Sequence, residues 1–342
     1  MIENKKLLII NKGALPDEYV TFLNKKGINA ILLQFSPQKK YIYKNSKITD
    51  KLMNAFHRLF LKNNNYIYIQ ENKSYSKEYC IQIKEFFKKE TFFDYVLILR
   101  PDNFDSSFLK IVKNHSEKVI GYMWDALNEY KYSILKKNKK YFHRIYLFEK
   151  EDLIKYPSLN GLKGNNYYFE NEEIKSLKKE NLISYIGNIT KDRRDLFIEK
   201  MIPYLEKSNY EIQIILINNI DKELNSYLSK HNKIQILNTH VHNSEHLKAM
   251  AKSKVSLDLI PSYHTEYSFR VYESIYYETK LITTNKNIIN FPLYRKENFL
   301  LIENELDFQK IPEFISTAYK PYKEEELSKF RFDNWIKNIF KH

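Results

Sequence analysis

The sequence predicts an α/β protein of two parallel-sheet domains, and three observations carry that prediction. Short apolar runs of strand character alternate along the chain with segments whose apolar residues recur at helical spacing, the pattern of a parallel sheet covered by helices. The alternation fades once, between Tyr156 and Asn181, where Gly161 and Gly164 fall among several asparagines, and then resumes. A length of 342 residues suits two medium units of this kind.

Lys6–Ile10 is the first strand, closed by Asn11, Lys12 and Gly13. A helix over Pro16–Leu23 and a strand at Ala30–Gln34 follow. Between Ser36 and Asn65 a basic helix begins near Asp50, with Met53, Phe56, Leu59 and Phe60 at helical spacing. Such a stripe is what a core-facing helix needs, so packing in the first domain is the expectation, with an acceptor-side or membrane-facing patch as the alternative. Tyr66–Gln70 reads as a strand or the lead into a loop, and Ser76–Lys88 as a helix. Asp94–Arg100 is the clearest strand of the first half, with a helix after it over Phe104–Val112. Val119–Trp124 is the next strand and ends at Asp125. Tyr146–Glu149 repeats the pattern briefly, and Asp152 is placed to cap a helix.

Beyond the break, Leu182–Ile186 is a strand, Gly187–Asn188 a turn, and the stretch from about Asp192 to Leu205 a helix. Glu211–Ile217 and Ile234–Leu237 are further strands, and Ser244 caps a helix running to Ser253. The most informative unit is Lys254–Asn285. Val255–Ile260 is a buried strand, Pro261–Ser268 a polar loop, and a helix carries Phe269, Tyr272, Ile275 and Tyr276 before the strand Lys280–Thr284. Arg270 and Glu273 share a face at the start of that helix, beside the edge where open α/β sheets bind ligands. An ordinary surface ion pair would use the same spacing. After Ile311–Tyr319 a final helix holds Phe330, Phe332, Trp335, Ile336 and Ile339, with Trp335 as a packing anchor.

Composition narrows the function classes. Hydrophobic residues make up 43%, with 28 Tyr and 22 Phe, which is enough for a real core. Glycines number 6, and no GxGxxG or GxxxxGK[ST] motif is present, so phosphate must be held with few glycines. The one cysteine, Cys80, excludes a disulfide framework and a cysteine-rich zinc site, and suits a reducing compartment. Leu7–Ile10 is too short for a signal peptide's apolar region, and no run of about 18 apolar residues exists to span a membrane. The net charge of +14 is compatible with nucleic acid, an anionic membrane face or phosphorylated substrates. The basic residues are spread along the chain and the aromatics sit at core-like positions, which argues against a specific nucleic-acid partner. His240, His242 and His246 lack HExxH spacing and a placed acidic partner, and no Asp-x-Asp pair occurs, so no metal is expected.

Four stretches carry a family resemblance: Gly121–Tyr130 (GYMWDALNEY), Ser184–Leu196 (SYIGNITKDRRDL), Ser256–Asn285 and the terminal Trp335–Phe340. Together they resemble bacterial lipopolysaccharide, capsule and exopolysaccharide glycosyltransferases of the spore-maturation-like group. The resemblance implies a GT-B-like fold, two Rossmann-like domains facing across a cleft. It places an acceptor-side domain over residues 1–170, a nucleotide-sugar-binding domain over 171–320, and in 321–342 a terminal helix returning to the first. It implies transfer from a nucleotide-sugar donor to a glycan or lipid-linked saccharide acceptor in surface polysaccharide synthesis. The expected setting is cytoplasmic, at the inner face of the cell membrane, where the +14 charge favours peripheral contact with anionic lipid. One departure from similar enzymes is informative. The Glu they often carry eight positions before the residue matched by Glu273 is here Thr265, with Glu266 beside it, so retaining stereochemistry is not carried over.

The chemistry then assigns candidates. A departing diphosphate needs cations or amide donors, an acceptor hydroxyl a base, and a ribose paired acceptors. Gly187, Arg193, Arg194, His264, Arg270 and Glu273 form the expected donor side, Arg193 and Arg194 at a helix start that itself favours phosphate. Glu273 matches the position that holds ribose hydroxyls in similar folds. Asp125 is the base candidate, with Lys12, Arg100 and Trp124 on the acceptor side and Arg270 paired to it catalytically. Its structural alternatives are a helix cap or a partner for Lys12 or Arg100. No cofactor beyond the donor is expected, and charge neutralisation without metal is. A non-catalytic glycan-binding scaffold would bind nucleotide without turnover, and a nucleic-acid-binding module would bind arbitrary oligonucleotides in a salt-dependent way.

Overall fold

The computed structural model describes residues 5–13, 18–36, 48–60, 66–188, 195–207, 210–217, 234–237, 241 and 243–341. The chain divides into two compact units, one of Met1–Gly164 with Ile339–His342 and one of Asn165–Asn338. Each is built on a parallel sheet of six strands.

In the first unit the strands are β1 (Lys6–Lys12), β2 (Asn29–Phe35), β3 (Phe93–Leu99), β4 (Ser116–Met123), β5 (Arg144–Leu147) and β6 (Leu162–Lys163). Their order in the sheet is β2-β1-β3-β4-β5-β6. The chain moves outward from β1 to β2 and returns to the other side of β1 as β3, so the topological switch point lies between β1 and β3. Covering helices are α1 (Glu18–Lys25), α2 (Ile48–Leu59), α3 (Tyr66–Lys89), α4 (Ser106–Asn114), α5 (Glu129–Asn138) and α6 (Lys150–Lys155). Leu8, Ile10, Val96, Ile98 and Val119 from the strands pack with Tyr79, Ile83, Phe87, Phe104 and Phe108. The strands read as continuous apolar runs because both faces of a parallel sheet are covered.

Three local readings are corrected here. Tyr66–Gln70 is neither strand nor loop but the first turns of the long helix α3. The short alternating run YIYI is ambiguous by itself, and the packing of Tyr79, Ile83 and Phe87 further along selects the helical state. Asp152 does not cap α6, whose N-cap position is Glu149. It is buried inside the helix and accepts the Leu127 backbone N–H at 2.8 Å. The helix α2 carries no buried residue, so its apolar stripe does not face a core.

The second unit contains β7 (Glu180–Gly187), β8 (Glu211–Ile217), β9 (Ile234–Leu237), β10 (Ser253–Asp258), β11 (Lys280–Thr283) and β12 (Phe299–Leu301), in the order β12-β11-β10-β7-β8-β9. The switch point falls between β7 and β10. The described part of the helix after β7 begins at Asp195, wound as a π-helix to Met201 and as an α-helix to Glu206. The helix α7 (Asn243–Lys252) already includes Ser244 in its first turn, so Ser244 is not its cap. After β10 come α8 (Phe269–Tyr276) and β11, and the final helix is α9 (Phe332–Phe340). Trp335 is buried on α9, donates its indole N–H to the Asn165 carbonyl at 2.7 Å and packs on Tyr167. It is a packing residue, as its place on the stripe indicates. Among the described residues no helix is long and apolar enough to cross a membrane.

Candidate functional site

A buried polar constellation stands at the switch point of the second unit. Asp258, the last residue of β10, is fully buried. A carboxylate survives there only with partners, and it has three. Ser268 Oγ donates to Oδ1 at 2.7 Å, Thr283 Oγ1 donates to Oδ2 at 2.9 Å, and Arg270 Nη1 stands 4.0 Å from Oδ1. Ser268 precedes α8 and Thr283 ends β11, so this one acid ties the loop after β10 to the neighbouring strand.

Arg270 lies in the first turn of α8 and reaches back across the sheet edge. Its Nη2 donates to the Ile186 carbonyl at 2.6 Å, and its guanidinium stands 5.3 Å from the centre of the Tyr185 ring. Gly187 makes that position available. A Cβ at this glycine would stand 2.7 Å from Arg270 Nη2 and 3.0 Å from the Tyr185 hydroxyl. Arg270 Nε is buried and has no hydrogen-bond partner among the described residues.

Glu273 follows one turn later, 8% exposed, and Oε2 is 3.1 Å from His246 Nε2 on α7. His246 is therefore paired with this carboxylate. The positions of His240 and His242 lie outside the described residues, and no group of three His, Cys, Asp or Glu side chains suited to a metal occurs among those described. Arg193 and Arg194, expected beside Gly187, also lie outside the described residues.

A cavity of about 340 Å³ opens beside the same loop. Leu196, Phe197 and Met201 wall one side, and Leu259, His264 and Asn285 are among the residues facing them. Neither Arg270 nor Glu273 is part of its lining. The loop is held in place by side-chain amides: Asn285 Nδ2 donates to the Glu266 carbonyl and Asn287 Nδ2 to the Thr265 carbonyl, each at 3.0 Å. The His264 backbone N–H closes a turn onto the Pro261 carbonyl at 3.0 Å.

The first unit gathers its candidates at the corresponding place. Lys12 ends β1, with its ammonium 4.8 Å from the centre of the Tyr75 ring. Arg100 follows β3 in the left-handed backbone region at φ 55 and holds Asp102 with two bonds of 2.8 Å. Its Nη1 also donates to Asp125, which follows Trp124 at the end of β4. Lys131 Nζ stands 3.6 Å from the same Asp125 oxygen, and the carboxylate is 40% exposed. Asp125 is thus an ion-pair partner of Arg100 and Lys131, not the cap of α5. That cap is Asn128, whose side chain accepts the Lys131 N–H at 2.9 Å.

Sequence reasoning passed over Asp258, Asn285 and Lys131, and it weighed His246 only as a metal ligand with no placed acidic partner, whereas Glu273 is that partner. The signal for Asp258 was present: a lone acid inside VSLDLI, a strand apolar at every other position but Ser256, must be buried and must have partners. The pairing of His246 with Glu273 joins two helices across 27 positions of sequence, and no local spacing announces it.

No protein-family model matches the chain, and no curated protein matches it in sequence. Solved structures do. A UDP-forming α,α-trehalose-phosphate synthase from Burkholderia xenovorans, in complex with glucose-6-phosphate, has a TM-score of 0.57 at 10% identity, covering 98% of this chain and 99% of that one. UDP-GlcNAc 2-epimerase from Methanocaldococcus jannaschii has a TM-score of 0.54 at 13% identity, over 98% of each chain. UDP-GlcNAc 2-epimerase from Neisseria meningitidis, bound to UDP-GlcNAc, has a TM-score of 0.51 at 10% identity, again over 98% of each. At such identities the likeness establishes architecture alone. The fold is GT-B, with two Rossmann-like units, as the sequence led us to expect.

Proposed function

We propose that this chain is a glycosyltransferase whose second unit binds a nucleotide-sugar donor. The observation that carries the reading is Arg270, held at the β7–β10 switch point by Asp258, the Ile186 carbonyl and the space left by Gly187. A fixed guanidinium at that edge is suited to a diphosphate, whose charge grows as the glycosidic bond breaks. The neighbours support the same substrate class, since one is named for forming UDP and the others for UDP-GlcNAc.

In the proposed step the acceptor oxygen bonds to the anomeric carbon as the bond from that carbon to the diphosphate breaks. The leaving nucleoside diphosphate takes the electron pair and is stabilised by Arg270, with Arg193, Arg194 and the amides after Gly187 as further donors. Glu273 accepts from the ribose hydroxyls, and His264 faces the sugar or diphosphate from the loop. Asp125 takes the acceptor proton, with Lys12, Arg100 and Trp124 on the acceptor side. No metal or other cofactor enters this scheme. In its finer form the proposal is surface polysaccharide synthesis by a spore-maturation-like transferase, acting on a glycan or lipid-linked saccharide at an anionic membrane face.

Calorimetric titration with nucleoside diphosphates tests the reading. Binding is expected, and Glu273→Gln should weaken it by roughly 1.5–3 kcal/mol through the lost charged contact. A folded Glu273→Gln protein with unchanged affinity would remove Glu273 from the site.

A further inference from the structure

The helix α2 is mounted with its polar side inward. Asp50, Asn54 and His57, spaced four and three apart, are its half-buried residues, and His57 stacks on Tyr66 of α3 with ring centres 4.4 Å apart. The opposite side carries the apolar row. Ile48 is 76% exposed, Leu52 64%, Phe56 46%, Leu59 67% and Phe60 74%. Helices of globular domains turn such a stripe to the core, and a contiguous apolar face left in solvent marks an interaction surface.

Charge selects the occupant. The sequence from Ser36 to Asn65 carries seven lysines and arginines against one acid, Asp50. Lys51 and Arg58 stand exposed on the helix itself, flanking the apolar row. A second copy of the chain would bring one such positive segment against another, and an apolar protein surface would leave both cations without counter-charge. An anionic bilayer satisfies both halves, taking the apolar row at the acyl boundary and the cations at the lipid phosphates.

We infer that α2 is a membrane-docking helix that lies in the plane of an anionic bilayer surface, with Leu52, Phe56, Leu59 and Phe60 inserted. The inference deepens the transferase proposal and rests on it for its purpose, because this surface is where a lipid-linked acceptor is met.

The test is sedimentation of the full chain with phosphatidylcholine vesicles, with and without phosphatidylglycerol, across a salt series. The paired protein carries Phe56→Ser and Leu59→Ser, both exposed positions whose exchange spares the core. The native chain should favour the anionic vesicles by about tenfold or more, less so at high salt, and the double variant should lose about tenfold. Its nucleoside diphosphate affinity should equal that of the native chain. Undiminished vesicle binding by the variant overturns the inference, as does absence of native binding at low salt. A native dimer that the same substitutions dissociate, without vesicle binding, assigns the face to a second copy and also overturns it. Failure of the native chain to bind any nucleoside diphosphate would instead defeat the transferase reading and leave the vesicle result standing.

Discussion

Gly187 is the residue where the proposed donor site is most easily disturbed without unfolding the protein. An added Cβ meets the far end of a flexible side chain, Arg270 Nη2, which can swing away. Gly187→Ala should therefore cost about 1 kcal/mol of stability or less, yet weaken nucleoside diphosphate binding about tenfold by moving the guanidinium. Urea unfolding and calorimetry on the same sample check both halves, and an unchanged affinity would mean that Arg270 does not meet the phosphates. Asp125 gives a complementary case. It is held by Arg100 and Lys131, so in the proposed step an acceptor hydroxyl would share or displace one of these contacts. Asp125→Asn should slow transfer by about 10²–10⁴-fold while leaving nucleotide affinity nearly intact. Transfer at the native rate would return Asp125 to a purely structural ion pair. At this scale helical spacing drew attention to Arg270 and Glu273, whose part in donor binding is the proposal under test. Asp258 was missed although its apolar setting was visible, and the pairing of His246 with Glu273 because the two come from different elements.

Elements were legible in proportion to how much local pattern determines them. The strands β1, β3, β7, β8 and β10 are apolar runs bounded by polar or turn residues, and each lies within a few residues of its expected place. The three-residue strand β12 was not recognised, because so short a run carries no period of its own. The start of α3 was misread where short-range alternation imitates a strand, and the orientation of α2 depends on what it packs against. Two strand starts also set a pH dependence. Burial pushes Lys179, just before β7, and Lys280, at the start of β11, from 10.5 down to about 8. Between about pH 8 and 10.5 the unfolded chain holds protons that the folded chain has lost, so these two lysines add stability as pH rises, and up to about pH 10 theirs is the prevailing effect. At about 1.4 kcal/mol per pKa unit the two shifts set a ceiling of roughly 7 kcal/mol, which partial exposure to solvent lowers to a few kcal/mol. Opposing it at the upper end, burial raises Tyr272 and Tyr276 and pushes Tyr322 up to about 12. These rings ionise first in the unfolded chain, so stability should fall above about pH 10. Urea midpoints at constant ionic strength should show this rise and fall, and a steady decline from about pH 8 would contradict the assignment.

For the whole molecule, strand–helix alternation and a single break in it were enough to indicate two parallel sheets. Strand order was not legible, because sheet order depends on pairings between distant segments. It is that order, with switch points at β1–β3 and β7–β10, that explains why Lys12 with Arg100, and Gly187 with Arg270, stand where they do. The proposed function rests on the second unit delivering a sugar from a nucleoside diphosphate. The most direct measurement supplies intact nucleotide sugars one by one to the native chain and to Arg270→Ala, with a bacterial lipid extract as acceptor source. Donor consumption, nucleoside diphosphate release and product mass are followed together. One donor should be consumed with matching diphosphate release and a product heavier by one sugar residue, and Arg270→Ala should slow this by about 10²-fold or more. Equal turnover by the folded Arg270→Ala protein, or sugar conversion with no diphosphate released, would contradict the proposed function.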